Sequence, residues 1–189
     1  MHIRQATIDD AEEFLDYLAV FWADGCDTVN YKSSFPNLEQ EREWLSRRDG
    51  EDAIVFVAEQ DSRIMGMIDA AVPKAAEHRH TCEFGMSVLL QFRKQGIGRK
   101  LLQHFLDWAE DRSLWKVELD VFSNNSPAIA LYSDLGFSED GRREKAVKLR
   151  NGVFCDLVHM SKYTETANKA LQRISPAGGG SSTRRSDEL

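Results

Sequence analysis

The sequence predicts one α/β domain, with a mixed α+β sheet of about seven strands and helices on both faces. Three observations support this prediction. Segments with the two-residue period of strands alternate with segments of helical period, in the order β-α-α-β-β-β-α-β-α-β-β. Two pairs of strand segments are separated by short turns typical of hairpins. The chain has 189 residues, 42% of them hydrophobic and 29% charged, which suffices for one full core.

The first part of the chain predicts one strand and two helices. Residues 2–6 form the strand, and Thr7 caps the next helix, with Asp10 at the position that a capping box gives to an acid. Apolar residues recur along this helix at helical spacing, namely Ala11, Phe14, Leu15, Leu18, Phe21 and Trp22. Residues 24–36 are loop-like, and a shorter helix covers residues 37–48.

The middle of the chain predicts a hairpin, two further strands and an amphipathic helix. Strands at residues 53–60 and 63–72 flank a turn at Asp61-Ser62, and another strand follows at residues 81–88. The helix starts near Gly96 and places four apolar residues on one face, Ile97, Leu101, Phe105 and Ala109. Residues 116–122 alternate between apolar and acidic side chains, as expected of a strand.

The last part predicts a helix, a hairpin and a tail. Pro127 lies near the start of a helix over residues 126–135, and Gly136 follows its end. Strands at about residues 138–149 and 153–161 flank the hairpin signal Asn151-Gly152. The pattern fades from about Thr164, so we predict a domain over residues 1–163 and a flexible polar tail over residues 164–189.

The composition excludes several classes of protein. The net charge of −7 argues against a nucleic-acid partner, and the absence of a long apolar run argues against a membrane span. The first ten residues lack a signal-peptide pattern, so we expect a cytoplasmic protein. The three cysteines form no disulfide or metal-binding pattern, and no other set of metal ligands stands out.

The segment QFRKQGIGRKLL, residues 91–102, predicts an anion site. It has four basic residues, and residues 84–105 contain no acid. A helix that starts at Gly96–Gly98 directs free N–H groups and the positive end of its dipole toward a ligand, and glycine lets that ligand approach the backbone. A tight turn between strand and helix is the alternative. The segment lacks the Lys-Ser/Thr of a P-loop and the third glycine of a dinucleotide fingerprint.

Two motifs resemble the GNAT superfamily of N-acetyltransferases. RKQGIG fits the pattern Arg/Gln-x-x-Gly-x-Gly/Ala after the fourth strand, and NNSPAIALYSDLGF resembles the family's Asn-x-x-Ala-x-x-Leu-Tyr-x-x-x-Gly-Phe segment after the fifth. The resemblance covers about residues 1–162. It implies a mostly antiparallel central sheet and a transfer of the acetyl group from acetyl-CoA to a primary amine by direct attack, without a metal or an acyl-enzyme.

The resemblance also implies a coenzyme A site. The backbone of residues 94–99 would hold the pyrophosphate, with Arg93 heading the motif, and strand-like bonds to the pantetheine arm would come from Val88 and Leu90. Many family members have glycine where this chain has Lys94. The implied cofactor-binding residues are Val88, Leu90, Arg93, Lys94, Gln95, Gly96, Ile97, Gly98, Arg99 and Asn125. Asn125 would also cap the helix that follows it.

Tyr132 matches the family tyrosine that faces the thioester sulfur. The ordinary pKa of tyrosine is about 10 and that of a thiol about 8.5, so we expect Tyr132 to stabilise the thiolate by a hydrogen bond, with complete proton transfer optional. An amine acceptor also needs a base, because a lysine-like amine is protonated at neutral pH. Glu83 is the first candidate for that base, and Glu118 and Asp120 are its rivals.

The amine acceptor is expected against the first two helices and their connection, about residues 21–44. This region is aromatic (Phe21, Trp22, Tyr31, Phe35, Trp44) and acidic (Asp24, Asp27, Glu39, Glu41, Glu43). A small amine, polyamine, amino acid or protein amine would all suit it. A non-catalytic acyl-CoA sensor or interaction module is the alternative function, and a generic nucleotide binder a weaker one. A homodimer through a strand edge stays open.

Overall fold

The computed structural model describes residues 1–25 and 34–174, with side chains as far as residue 172. The described residues form seven strands: β1 (His2–Gln5), β2 (Ala53–Gln60), β3 (Arg63–Ala71), β4 (Thr81–Val88), β5 (Lys116–Phe122), β6 (Ser138–Lys148) and β7 (Phe154–Tyr163). Their α-helices are α1 (Ala11–Ala23), α2 (Leu38–Ser46), α3 (Ile97–Asp111), α4 (Ser126–Asp134) and α5 (Glu165–Ile174). The predicted order is confirmed from β1 to β7.

All seven strands belong to one sheet with the order β1-β2-β3-β4-β5-β7-β6. Neighbouring strands are antiparallel except β4 and β5, which are parallel. The predicted mixed, mostly antiparallel sheet is therefore confirmed. Asp61 and Ser62 form the turn between β2 and β3 with φ angles of 52° and 61°, the left-handed values that a tight two-residue hairpin requires.

The sheet has a separate hydrophobic core on each face. On one face α1 and α2 pack through residues such as Phe14, Tyr17 and Leu45. On the other face α3 packs through Ile97 and Phe105, among others. Because strand side chains alternate, β2 and β3 supply both cores from their two faces, and so both strands are almost continuously apolar. Of the two cores, β5 supplies only the one under α3, and it has acidic side chains on its other face.

The region after β7 differs from the prediction, because residues 165–174 form α5 where a flexible tail was expected. The side-chain carboxylate of Glu110 on α3 accepts hydrogen bonds from the first backbone N–H groups of α5, those of Glu165 and Thr166. Thr164 and Ala167 are buried, with 2% and 0% exposure. A cap supplied from 55 residues away in the sequence leaves no local signal. The rest of the predicted tail, residues 175–189, lies outside the described residues.

No helix of the described residues has the length and apolarity needed to cross a membrane.

Candidate active site

The two central strands separate partway along their length, which opens a gap in the sheet. β4 and β5 pair only over residues 81–83 and 116–118. Beyond them, residues 84–87 and residues 119–122 line a common cavity instead of pairing. On its other side β4 remains paired with β3 as far as Val88. The backbone groups of β4 that face β5 therefore have no strand opposite them along this stretch.

A cavity of about 430 Å³ occupies this gap and joins the two faces of the sheet. On the side of α1, α2 and β3 it is lined by aromatic and charged residues that include Phe21, Glu41, Trp44, Arg48 and Asp69. On the side of β5 and α4 it is lined by Asp120, Asn125 and Tyr132. The cavity thus has three carboxylates and one guanidinium among its described charged side chains, which favours a ligand with a positive charge.

The first turn of α3 directs unused hydrogen-bond donors toward solvent. The helix makes its first backbone bond from Lys100 N to Gly96 O, at 3.1 Å. The preceding N–H groups, those of residues 94–99, donate to no acceptor among the described residues. Together with the helix dipole these donors have the arrangement that attracts an anion. The predicted residues Lys94, Gln95, Gly96, Ile97, Gly98 and Arg99 therefore lie together at one helix end.

Two residues of this loop are distinguished by their backbone angles, and a third by the space around its Cα. Lys94 and Gly96 both have left-handed φ angles, of 60° and 79°. The left-handed angle at Lys94 accounts for the glycine that the family often has there. A Cβ at Gly98 would lie 3.4 Å from Leu131 and 3.5 Å from Met86, which is ordinary contact distance, so the structure leaves space for a small side chain there.

The end of β4 differs from the prediction in one residue. Leu89 N donates to Met65 O of β3, so by the alternation of a strand the N–H groups of Val88 and Met86 face the gap. Both backbone groups of Leu90 are already used: its N–H donates to Asp24, and its carbonyl accepts from the backbone of Arg93. Met86 therefore takes the place predicted for Leu90.

Arg93 is turned toward the sheet. Its Nε donates to the Val88 carbonyl at 2.9 Å, which ties the glycine loop to the end of β4. Arg93, the first residue of the motif, therefore fixes the position of the glycine loop relative to the gap between β4 and β5.

Asn125 and Tyr132 lie on α4 at the opposite wall of the cavity. The Asn125 side chain accepts a hydrogen bond from Ala128 N, so Asn125 caps α4 and also lines the cavity. Tyr132 is buried with 5% exposure, between Phe84 and Phe137. This burial raises the pKa of Tyr132 to about 12, so its hydroxyl stays protonated at neutral pH.

The structure separates the three carboxylates considered as bases. Glu83 is exposed, belongs to the paired part of β4 and does not line the cavity. Glu118 also lies in the paired part and is bonded to the Lys116 ammonium at 2.7 Å. Asp120 follows the point of separation and lines the cavity. Of the three, only Asp120 lines the cavity, because the gap opens one residue after Glu83.

Asp120 has a histidine partner that the sequence analysis missed. His159 lies opposite Asp120 in the β5–β7 register, and its Nδ1 is 3.0 Å from Asp120 Oδ1. A second cavity of about 340 Å³, lined by His159 and Arg143, also reaches Asp120. Asp120 therefore joins the two cavities. Only the pairing of β5 with β7 brings together two residues 39 positions apart in the chain.

The predicted acceptor wall is present in part. Phe21, Glu41 and Trp44 line the cavity, and Phe14 and Leu18 of α1 join them. Trp22 packs instead on Phe35, with ring centroids 5.2 Å apart. Asp27 and Tyr31 lie outside the described residues, as does Cys26. The sequence analysis did not select Arg48 or Asp69, which also line the cavity.

One group of three side chains has the spacing of a metal site, Glu118, Asp140 and His159. The ammonium of Lys116 lies between two of them, 2.7 Å from Glu118 and 2.8 Å from Asp140. Its hydrogen bond lowers the pKa of Asp140. The group is thus held together by an internal cation and behaves as an ion-pair network.

Comparison with known proteins identifies similar sequences and folds. The model of the acetyltransferase (GNAT) family matches residues 16–137. The L-amino acid N-acetyltransferase AaaT of Escherichia coli is 27% identical over 141 residues, which is 72% of this chain and 82% of that protein. The [ribosomal protein bS18]-alanine N-acetyltransferase of E. coli is 43% identical over 56 residues, which is 30% of this chain and 38% of that protein.

A similar fold occurs in a solved acetyltransferase structure. The structure of yncA, a putative acetyltransferase from Salmonella typhimurium with its cofactor acetyl-CoA, superposes with a TM-score of 0.76 at 21% identity. The match covers 86% of this chain and 93% of that one.

Proposed function

Because the chain belongs to the acetyltransferase (GNAT) family, we propose that it transfers the acetyl group of acetyl-CoA to a primary amine by direct attack. The observation that carries this proposal is the cavity in the gap between β4 and β5. This cavity is lined by the unpaired edge of β4, by the buried Tyr132 and by the carboxylate of Asp120. A site for acyl transfer needs these three kinds of group around the reacting carbonyl.

The loop before α3 would bind the pyrophosphate of acetyl-CoA. Its N–H groups at residues 94–99 have no acceptor among the described residues, and Lys94 and Lys100 add positive charge. The Arg99 guanidinium is paired with Asp134 at 2.9 Å. From there the gap leads along β4, where Met86 and Val88 would bind the pantetheine arm through their backbone. The N–H of Val88 would also polarise the thioester carbonyl. The fit supports acetyl-CoA as the co-substrate.

The Asp120–His159 pair would accept the proton of the amine. The Asp120 carboxylate attracts the ammonium group into the cavity, and the imidazole of His159 has a ring nitrogen that can serve as a general base. The hydrogen bond to Asp120 fixes the orientation of the His159 ring. Once neutral, the amine attacks the thioester carbonyl and the C–N bond forms. The C–S bond then breaks to release the thiolate of coenzyme A, and the nitrogen gives up its second proton to leave a neutral amide.

Tyr132 would stabilise that thiolate by a hydrogen bond. With a pKa of about 12 its proton is held more tightly than that of a thiol. Full transfer to a thiolate with the ordinary pKa of about 8.5 would cost about 5 kcal/mol, so the proton stays on the tyrosine oxygen during bond cleavage. The final protonation of coenzyme A is left to water or to the proton removed from the amine.

The names of the relatives suggest two classes of acceptor, free L-amino acids and the alanine of a ribosomal protein. Both are primary amines, so both agree with the chemistry of the cavity. The test is the release of free thiol from acetyl-CoA in the presence of a panel of amines, with mass spectrometry of the product. Amine-dependent release supports the transferase. Tight binding of acetyl-CoA without release for any amine would overturn it and favour the sensor.

A further inference from the structure

We infer that the amine acceptor also carries a carboxylate and that Arg48 binds this group. The inference rests on the transferase function proposed above and narrows its substrate class to small amino acids and related amino-carboxylates. Arg48 lies two residues after the end of α2 and lines the same cavity as Tyr132 and Asp120. It is the one cation among the described residues that line this cavity.

The Arg48 guanidinium is held in place by its neighbours but makes no hydrogen bond to them in the part of the chain that the structure describes. Its Cζ lies 4.1 Å from the centroid of the Trp44 ring, and its Nε lies 3.6 Å from Asp69 Oδ2. The side chain is 24% exposed. None of its five N–H donors makes a hydrogen bond to any of the described residues, and the buried Nε has only the longer ion-pair contact with Asp69.

A half-buried guanidinium with unused donors is costly unless a ligand supplies the acceptors. The planar fork of arginine matches the two oxygens of a carboxylate, which can accept two parallel bonds. Stacking on Trp44 restricts the conformations of the Arg48 side chain in the unliganded protein, and this reduces the conformational entropy lost when a ligand binds. The geometry therefore suits an anion with two oxygens at this position.

The charges around Arg48 favour a carboxylate over a doubly charged phosphate. Glu41, Asp69 and Asp120 line the cavity with it, so the net charge of these four side chains is −2 if all are ionised. A dianion would be repelled by three carboxylates. A zwitterion meets no such repulsion, because its ammonium faces the acids while its single carboxylate meets Arg48.

The position of Arg48 also separates the two acceptor classes. A free amino acid carries its carboxylate one carbon from the amine, whereas the N-terminal amine of a protein carries an amide there. An amide is neutral and presents one oxygen, so it cannot form the bidentate, charge-assisted pair with a guanidinium. Arg48 should therefore select the free acid and disfavour the peptide.

The test compares L-amino acids with their matched amides. Each acceptor is titrated calorimetrically into the protein saturated with coenzyme A, and thiol release is measured with the same pairs. We expect the wild type to favour the acid at least tenfold in affinity. Arg48→Met should lower the ratio of acid to amide at least tenfold, and Arg48→Lys should retain part of it. Comparison between variants removes the difference in amine pKa between acid and amide.

Arg47→Met is the matched control. Arg47 is the neighbouring residue, is 72% exposed and pairs with Glu43 on the surface, so its loss should leave the acid-to-amide ratio unchanged. Equal binding of acid and amide by the wild type, or an unchanged ratio in Arg48→Met, would overturn the inference. Absence of thiol release with every amine would instead overturn the proposed transferase, while the binding ratio would still decide the role of Arg48.

Discussion

The imidazole of His159 and the carboxylate of Asp120 are hydrogen bonded across β7 and β5, with Nδ1 and Oδ1 3.0 Å apart. Their strands are antiparallel, and the two residues are directly opposite in register, so both side chains lie on the same face of the sheet. That face carries Ser87 of β4 and Asp69 of β3, which line the central cavity with Asp120. The pair is thus placed where an amine would enter.

The first prediction concerns Asp120. Asp120→Asn removes the negative charge while retaining the shape of the side chain, so the amine loses its attraction to the cavity and His159 loses its anionic partner. We expect kcat/KM for the amine to fall at least about 100-fold, the lower end of the usual contribution of a positioned base. Steady-state thiol release at pH 7 measures this.

Glu83→Gln is the comparison for Asp120. Glu83 lies on the neighbouring strand but outside the cavity, so its change should alter kcat/KM less than threefold, about 0.6 kcal/mol in the barrier. A large loss in Glu83→Gln together with a small one in Asp120→Asn would restore Glu83 as the base.

The second prediction concerns Tyr132. Tyr132→Phe keeps the ring between Phe84 and Phe137 and removes only the hydroxyl. We expect kcat to fall at least tenfold, about 1.4 kcal/mol in the barrier, with little change in the affinity for acetyl-CoA. Pre-steady-state thiol release and calorimetric titration measure the two quantities. An unchanged kcat would remove Tyr132 from the reaction.

The third prediction concerns the loop before α3. Gly96 has a φ of 79° and open space around the position of a Cβ, so Gly96→Ala acts through backbone conformation rather than through a clash. A left-handed alanine costs about 1 kcal/mol, and the N–H groups of the loop should shift from their present directions. We expect the Kd of acetyl-CoA to rise at least fivefold by calorimetry.

Lys94→Gly is the opposite change in the same loop. Lys94 already has a left-handed φ of 60°, which glycine adopts without strain, so the free energy of unfolding should not decrease. Urea denaturation measures it. If Gly96→Ala bound acetyl-CoA as tightly as the wild type, the role of the loop conformation in binding would be refuted.

The fourth prediction concerns stability at high pH. Burial raises the pKa of Tyr132 to about 12, and that of the fully buried Tyr17 is raised for the same reason. The folded pKa lies above the unfolded value of about 10. The contribution of each protonated tyrosine to the free energy of unfolding is therefore complete below pH 10 and is lost as the pH rises toward 12. Each tyrosine contributes a slope of up to about 1.4 kcal/mol per pH unit there.

Urea midpoints between pH 8 and pH 11 test this dependence. We expect a flat region to about pH 10 and a fall above it, which Tyr132→Phe and Tyr17→Phe should each reduce. Tyr163 is 48% exposed, so Tyr163→Phe serves as the control and should leave the fall unchanged. Equal curves for all four proteins would contradict the assignment to the buried phenols.

The fifth prediction concerns α5. The Glu110 carboxylate accepts bonds from the N–H groups of Glu165 and Thr166 and from the Thr166 hydroxyl, at 2.9 Å for the last. Glu110→Ala should lower the free energy of unfolding by about 1 kcal/mol, the usual value of a helix cap. Asp107→Ala, one turn earlier on α3, should change it by less than about 0.5 kcal/mol. Equal losses would mean that the Glu110 cap contributes nothing specific.

A truncation series tests the domain boundary. A chain that ends at residue 163 loses the buried Thr164 and Ala167, whereas a chain that ends at residue 174 keeps α5. We expect the shorter chain to be less stable in urea and the longer one to match the full chain. The boundary then lies after α5 and not before it.

Much of the fold and part of the site follow from local patterns in the sequence. The bounds of β2, β4 and β5 agree with the predicted segments, because alternation and flanking turn residues act over a few positions. The start of α3 after Gly96 was predictable for the same reason, since a helix end and its glycines form one continuous segment. The use of this helix end as an anion site stays a prediction. The motif likewise placed Asn125 and Tyr132 on one helix.

Only the tertiary structure decided which charged side chains share the cavity. The residue at which β4 and β5 stop pairing determines that Asp120 lines the cavity and that Glu83 does not. Neither strand has a local sequence pattern that marks this residue. His159 reaches Asp120 through strand pairing, and Arg48 and Asp69 meet through the packing of α2 on β3. The sequence by itself determines which segments become helices and strands, since those depend on near neighbours. Contacts between distant segments depend on register and packing, which no short stretch of sequence contains.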